Sequence, residues 1–346
     1  MAFLPHFLPL LRRLELNALS TPPITLPSHF PQRPVVSCPE LRELKLISIG
    51  RPFMVHQLAY FRQLTHLTIH SSRSSPRTYL IHDVLVMLRH CSSSLVSLHF
   101  TGDLVVSAQA ESDAHDVVTM ERLTSITLRM QSVDLMLQHL TLPRTTGFSV
   151  ECQDHSKPDF PFAIFIDFLR RSGPPLEALT ISRFDIEEND LLATLTLLPS
   201  VTRLELYDPG PDSEYAPLSG DFYERLSFTD RDSCDDDDII LPSLVDLCLL
   251  FDDENIWAGW EVGGLALVEM VSSRFYLESR PPCSPRCLDA SSACRLKTLK
   301  RLSLIGASGE YLDRRAHESL GRLEEDGLDV AQIWFPFDSD DSLEGN

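Results

Sequence analysis

Basic residues and long apolar stretches are scarce in this sequence. The 346 residues include 30 Lys and Arg against 50 Asp and Glu, which gives a formal net charge of −20 at pH 7. Because nucleic-acid affinity depends on neutralising phosphates with cations, this balance argues against a nucleic-acid ligand. Anionic membrane surfaces are disfavoured for the same reason, and no apolar run approaches the roughly 20 residues that span a bilayer. We therefore expect no nucleic-acid partner and no membrane partner.

Targeting and catalytic signatures are also lacking. Residues 1–11 are apolar, but Pro5 and Pro9 interrupt them and no basic segment precedes them, unlike a secretory signal. The eight cysteines are spread along the chain and form no short disulfide framework. The sequence contains no glycine-rich phosphate loop, no Gly-x-Ser-x-Gly elbow and no recognisable Cys–His pair. These absences predict a cytoplasmic or nuclear protein that is not an enzyme and uses no cofactor.

Leucine, by contrast, is abundant and periodic, at about one residue in six. The pattern apolar-x-x-apolar-x-apolar recurs at intervals of about 20 to 30 residues over most of the chain. Its good copies begin at Leu11, Leu41, Leu64, Leu95, Leu123, Leu176, Val201, Leu244 and Leu299. Weaker copies begin at Thr145 and Val330. A period of this kind is typical of leucine-rich-repeat proteins.

Segments of helical periodicity separate the copies. They are residues 53–61, 84–88, 162–171, 190–198, 265–276 and 316–325. A strand followed by a helix cannot bury its apolar face alone, so stacked copies are expected to share one core. The predicted fold is an α/β leucine-rich-repeat solenoid: an irregular horseshoe with a parallel sheet on the concave face and helices on the convex face. The turn position that usually holds Asn or Cys holds other residues here, so no asparagine ladder is expected.

Two intervals between copies are too long for a single repeat. Residues 208–240 and 251–298 contain acidic clusters and Pro-rich stretches, which predict loop insertions. The acidic tail at 338–346 is expected to be disordered. Residues 1–337 are otherwise predicted to form a single leucine-rich-repeat domain.

Several segments, taken in order, resemble the repeat region of F-box proteins from mushroom-forming fungi. They are 241–254 (LPSLVDLCLLFDDE), 265–275 (LALVEMVSSRF), 295–304 (RLKTLKRLSL) and 317–330 (HESLGRLEEDGLDV). The resemblance implies the substrate-binding repeats of an SCF ubiquitin ligase receptor, in which an N-terminal F-box docks to a Skp-type adaptor. The first copy begins at Leu11, so the F-box itself is missing from this sequence. We expect a Skp-type adaptor as a partner only if an F-box lies upstream.

Alternation along each predicted strand separates buried leucines from outward polar side chains. Repeat proteins bind extended partners on such a face, and aromatic and arginine residues are common hot spots. The predicted protein-binding residues are Arg129, Arg203, Glu205, Tyr207, His66, His70, His99, Arg301 and Trp334. The sequence therefore predicts a protein-interaction module whose substrate is unknown. The alternative is a repeat-only structural protein, or a decayed family member, without a dedicated partner.

Three sets of residues share features with metal sites without completing one. Cys283, Cys287 and Cys294 have no fourth ligand nearby, whereas a structural zinc site needs four. The histidines at 66, 70 and 99 could share one face, but a polar sheet surface is the simpler interpretation. The aspartate run 235–238 lacks the spaced oxygen ligands and the glycine of a calcium loop. We therefore predict no metal site.

Overall fold

The computed structural model describes residues 11–17, 40–47, 62–71, 78–106, 117–152, 158–208, 218–228, 239–251, 260–279, 297–306 and 314–334. In these residues the chain is α/β, and eleven strands lie in parallel β-sheet. The chain divides into two compact units. The first comprises Met1–His155 and Ala163–Pro175, and the second comprises Ser156–Phe162 and Leu176–Asn346. The single domain expected over 1–337 stays a prediction.

The first unit contains six of the parallel strands, which are neighbours in chain order. They are β1 (Arg13–Asn17), β2 (Glu43–Ile47), β3 (His66–His70), β5 (Ser97–Thr101), β8 (Ser125–Arg129) and β10 (Gly147–Glu151). Two shorter parallel pairs join β4 (Thr78–Leu80) to β6 (Asp103–Val105) and β7 (Val118–Thr119) to β9 (Leu140–Thr141). The helices of this part of the chain are α1 (Ile81–Cys91), α2 (Val133–His139) and α3 (Phe162–Ser172).

The second unit contains the other five strands, again paired in chain order. They are β11 (Ala178–Ser182), β12 (Arg203–Asp208), β13 (Asp246–Phe251), β14 (Arg301–Gly306) and β15 (Asp329–Trp334). Its helices are α4 (Glu188–Leu195), α5 (Gly220–Leu226), α6 (Trp260–Phe275), which a 3-10 turn Tyr276–Ser279 extends, and α7 (Arg314–Glu325).

The leucine pattern marks the core as predicted. All three apolar positions are buried in the copies that begin at Leu41, Leu64, Leu95, Leu123, Leu176, Val201, Leu244 and Leu299. Thr145 and its partners Phe148 and Val150 are buried too, so this weaker copy belongs to the same arrangement. Because side chains alternate along a strand, burial of these positions directs the residues between them outward.

The helical periodicity is confirmed wherever the structure describes it, in α1, α3, α4, α6 and α7. The segment 53–61 lies outside the described residues. Two helices were not predicted, α2 and α5, which are only seven residues long. The α5 helix corrects the expectation of loop throughout 208–240, since it buries Phe222 and Tyr223 completely. A short helix is stabilised mainly by packing of its apolar face, which explains why composition pointed to a loop.

The same pair of backbone hydrogen bonds recurs where successive strands begin. In the first unit the carbonyl of Arg42 accepts the N–H groups of Thr65, at 2.8 Å, and His66, at 3.0 Å. In the second unit the carbonyl of Thr202 accepts those of Val245, at 2.8 Å, and Asp246, at 2.9 Å. Equivalent positions of different pattern copies therefore make equivalent contacts.

Hydroxyl groups reinforce these strand starts, where an asparagine ladder was not expected. The buried hydroxyl of Thr145 donates to the carbonyl of Leu123 at 3.0 Å, and Thr124 donates to Val96 at 3.2 Å. Further hydroxyls that donate to a carbonyl of the preceding copy belong to Thr65, Ser94, Thr146, Ser200 and Thr202. These hydroxyls add a further donor at the strand starts, and at the buried Thr145 the bond gives the carbonyl of Leu123 a partner in place of water.

Candidate functional site

The outward face of the sheet in the first unit carries the three predicted histidines. His66 and His70 lie on β3, and the register places His99 of β5 beside Thr68, between them along the strand. His66 is exposed, whereas His70 and His99 are half-buried. Among the described residues, no group of three or more His, Cys, Asp or Glu is arranged to hold a metal ion.

His99 has the most perturbed environment of the three. Its Nε2 lies 3.2 Å from the hydroxyl oxygen of Thr101. Burial, followed by the charges of Arg129 and His70, lowers the pKa of His99 below its usual value, while Glu151 acts in the opposite direction. The imidazole is therefore held in its neutral form to a lower pH than a solvated histidine.

Cations on this face are paired with carboxylates of the neighbouring strand. The Nε atom of Arg129 lies 2.8 Å from Glu151 Oε2, across β8 and β10. On β1 and β2, Lys45 Nζ lies 3.2 Å from Glu15 Oε1, and Arg13 Nε lies 3.5 Å from Glu43 Oε2. Because anions and cations alternate here, the face does not share the strong negative excess of the whole chain.

A row of alternating charges crosses the outward face in the second unit. The register aligns Arg203, Asp246, Arg301 and Asp329 on four successive strands. Arg301 Nε lies 2.7 Å from Asp329 Oδ2, and Arg203 Nη2 lies 3.5 Å from Glu205 Oε2 on its own strand. We call Arg203, Asp246, Arg301 and Asp329 the charged row.

The next row contains Glu205, Cys248 and Ser303. The Cys248 thiol is half-buried, and its pKa is raised to about 11, mainly by burial and further by Glu205, while Arg203 acts in the opposite direction. A thiol with such a pKa is almost entirely protonated at neutral pH, so Cys248 is unsuited to act as a nucleophile.

A third row is apolar although it lies on the outward face. Tyr207, Leu250 and Ile305 are neighbours across β12, β13 and β14, and each is partly exposed. We call these three residues the apolar strip. Tyr207 was predicted from the sequence, whereas Leu250 and Ile305 were not. Continuing the alternation two residues beyond Cys248 and Ser303 would have found both.

The register of β15 overturns one prediction. It pairs Val330 with Leu302, Gln332 with Leu304 and Trp334 with Gly306. Asp329 and Ala331 instead align with Arg301 and Ser303. The prediction that a pattern copy begins at Val330 was therefore wrong, while the binding role of Trp334 stays a prediction. Val330 takes the second position of the pattern and not the first, and a one-residue shift exchanges the two faces of a strand.

The remaining predicted residues are distributed between the two units. Arg129 belongs to the first unit with the histidines, whereas Arg203, Glu205, Tyr207 and Arg301 lie close together on the sheet of the second. Cys283, Cys287, Cys294 and the aspartate run 235–238 lie outside the described residues.

The chain matches no protein-family model, no curated protein and no solved structure. In the part of the chain that the structure describes, no helix is both long and apolar enough to span a bilayer. In its described residues the chain is therefore an α/β protein with parallel β-sheet, whose outward side chains are mostly polar or charged apart from the apolar strip.

Proposed function

We propose that this chain is a leucine-rich-repeat protein that binds a protein partner on the outward face of its sheet, without catalytic turnover. The observation that carries the proposal is the apolar strip of Tyr207, Leu250 and Ile305, which lies where strand alternation normally places polar side chains. Protein interfaces commonly combine an aromatic or aliphatic centre with a polar, charged rim. The charged row supplies such a rim on the same strands.

The pattern copies share the same burial and the same backbone contacts, which supports a repeat protein. The apolar positions are buried in copy after copy, and the same pair of backbone hydrogen bonds begins successive strands. Helices follow many of these strands in the chain. This is the behaviour of stacked units that bury their apolar sides against neighbouring units.

The resemblance to fungal F-box repeats supplies a candidate class of partner. In that case the outward face holds the substrate of an SCF ubiquitin ligase, in the cytoplasm or nucleus. A Skp-type adaptor would bind only if an F-box lies upstream of this sequence. The competing possibility is a repeat protein without a dedicated partner, and the experiment below distinguishes the two.

The test is affinity capture from a lysate of the source organism, quantified by mass spectrometry, with three forms of the chain. Leu250→Gln places an amide within the apolar strip. Leu197→Gln is the matched control, since Leu197 is an exposed leucine that follows α4, away from the strands of the sheet. We expect at least one protein to be retained by the wild type and by Leu197→Gln but lost from Leu250→Gln. Identical captures by all three forms, or none above a bead control, would contradict the proposal.

A further inference from the structure

The guanidinium of Arg274 is fully buried in the second unit, near the end of α6. It donates to three backbone carbonyls: Leu226 at 2.7 Å, Ile240 at 2.7 Å and Leu241 at 2.9 Å. Its Cζ lies 4.3 Å from the centre of the Phe228 ring. Burial lowers its pKa to about 9, which still leaves it charged at neutral pH.

Arg171, which is exposed, makes a similar set of contacts in the first unit. Both arginines are the penultimate residue of their helix, α3 for Arg171 and α6 for Arg274. Arg171 donates to the carbonyl of Leu137 at 2.5 Å and twice to that of Leu140, at 2.9 Å and 3.3 Å. Leu137 lies near the end of α2, just as Leu226 ends α5. Each arginine therefore binds the end of the preceding helix.

A serine lies next to each arginine in the chain and accepts a backbone hydrogen bond in both units. Ser172 Oγ accepts the N–H of Leu142 at 3.1 Å, and Ser273 Oγ accepts the N–H of Phe228 at 3.0 Å. In both units the amide that binds serine lies two residues after a carbonyl that binds arginine, Leu140 in one case and Leu226 in the other. We call each such Arg–Ser pair with its acceptors an Arg–Ser clamp.

Helix ends explain why the clamp is useful. The last carbonyls of a helix have no partner within it, and a buried carbonyl without a partner is costly. The planar guanidinium offers five donors in a fixed fork, and a cation is favourable near a helix C-terminus. At Arg274, where water is excluded, one arginine can therefore satisfy several carbonyls, and those carbonyls compensate its charge.

The two clamps differ in burial, in the order of serine and arginine, and in the spacing of their acceptors. Arg274 is fully buried and follows its serine, whereas Arg171 is exposed and precedes its serine. The acceptors of Arg171 lie three positions apart in the chain, at Leu137 and Leu140. Those of Arg274 lie on both sides of residues 229–238, with Leu226 before and Ile240 and Leu241 after. One guanidinium thus binds the chain both before and after residues 229–238. We propose that the Arg–Ser clamp is a recurring arrangement that joins consecutive helices. In the second unit, the contacts of Arg274 hold together the segments before and after residues 229–238, so the fold of that unit does not depend on those residues.

The first test measures hydrogen exchange by mass spectrometry on the full chain. Ser273→Ala should accelerate exchange in the peptide that contains Phe228, and leave the peptide containing Leu142 unchanged. Ser172→Ala should produce the opposite result. Ser272→Ala is the matched control and should alter neither peptide. If Ser273→Ala and Ser272→Ala have the same effect on Phe228, the clamp is overturned.

The second test compares urea unfolding of three variants. Arg274→Met leaves three buried carbonyls without their donor and should raise the unfolding equilibrium constant by at least about a hundredfold. Replacing 229–238 by Gly-Ser-Gly-Ser should leave the urea midpoint unchanged. Arg170→Met, at an exposed residue of α3, is the control and should also leave it unchanged. A midpoint that falls as far for the linker variant as for Arg274→Met would overturn the proposal, as would a wild-type midpoint for Arg274→Met. Should Arg274→Met fail to fold, the linker variant and the exchange measurements still decide the question.

Discussion

Tyr207 and Leu250 are direct neighbours across two parallel strands, β12 and β13, and both lie on the outward face of the sheet. One position earlier on the same strands, Leu206 and Leu249 are also neighbours, and both are buried. A single residue step therefore separates the core from the candidate binding face. This relationship makes neighbouring leucines a sharp test of the proposal.

The paired substitutions Leu249→Ala and Leu250→Ala should have very different effects on stability. Leu249 is fully buried, so its truncation leaves a cavity and should cost about 2 to 5 kcal/mol of unfolding free energy. Leu250 is partly exposed, and its truncation should cost less than about 1 kcal/mol. Urea unfolding followed by circular dichroism measures both. Equal losses would mean that Leu250 belongs to the core and not to the outward face.

The hydroxyl hydrogen bonds at the strand starts should contribute more to the free energy of unfolding where they are buried than where they are exposed. Thr145→Val removes a completely buried donor and leaves the carbonyl of Leu123 without that hydrogen bond, which should cost about 1 to 3 kcal/mol. Thr202→Val removes a similar bond to Glu177 at an exposed position, where water can replace the hydroxyl. Its effect on the urea midpoint should be smaller. A larger effect for Thr202 than for Thr145 would contradict this explanation.

His99 should contribute to acid sensitivity. Its pKa in the folded chain is lowered, so between that value and its usual pKa the unfolded chain binds more protons. Stability contributed by the neutral imidazole is therefore present above the usual pKa and is lost as pH falls below it. His99→Gln should lose less of its urea midpoint between pH 7.5 and 5 than the wild type. His66→Gln, exposed on the same face, is the control. An undiminished loss in His99→Gln would refute the assignment.

Cys248 offers a chemical probe of the candidate face. Its pKa of about 11, against 9.0 for an unperturbed thiol, should slow alkylation at pH 8 about a hundredfold relative to a solvated cysteine. Glu205→Gln removes a charge that raises the pKa and should accelerate labelling, whereas Arg203→Gln should slow it further. Peptide mass spectrometry resolves Cys248 from the other thiols. Equal rates in the three forms would show that these neighbours do not set its reactivity.

The sequence by itself determined the local features of this protein. The leucine pattern identified the buried positions because strand alternation is a local property, and it identified most helices because their apolar period is local too. The same alternation placed Arg129, Arg203, Glu205, Tyr207 and Arg301 on the outward face. It failed at the last copy, where Val330 fitted two positions of the pattern and only pairing with β14 decided between them.

Only the tertiary structure decided which distant residues meet. The apolar strip depends on lateral register, which aligns Tyr207 with Leu250 and Leu250 with Ile305 across long intervening segments. Arg274 reaches Leu226, 48 positions earlier, and no motif predicts that contact. The α5 helix formed within a segment whose composition favoured a loop, because burial of Phe222 and Tyr223 outweighs local preference. Long-range packing and the need to satisfy buried carbonyls set these features, and neither can be determined from a short window of sequence.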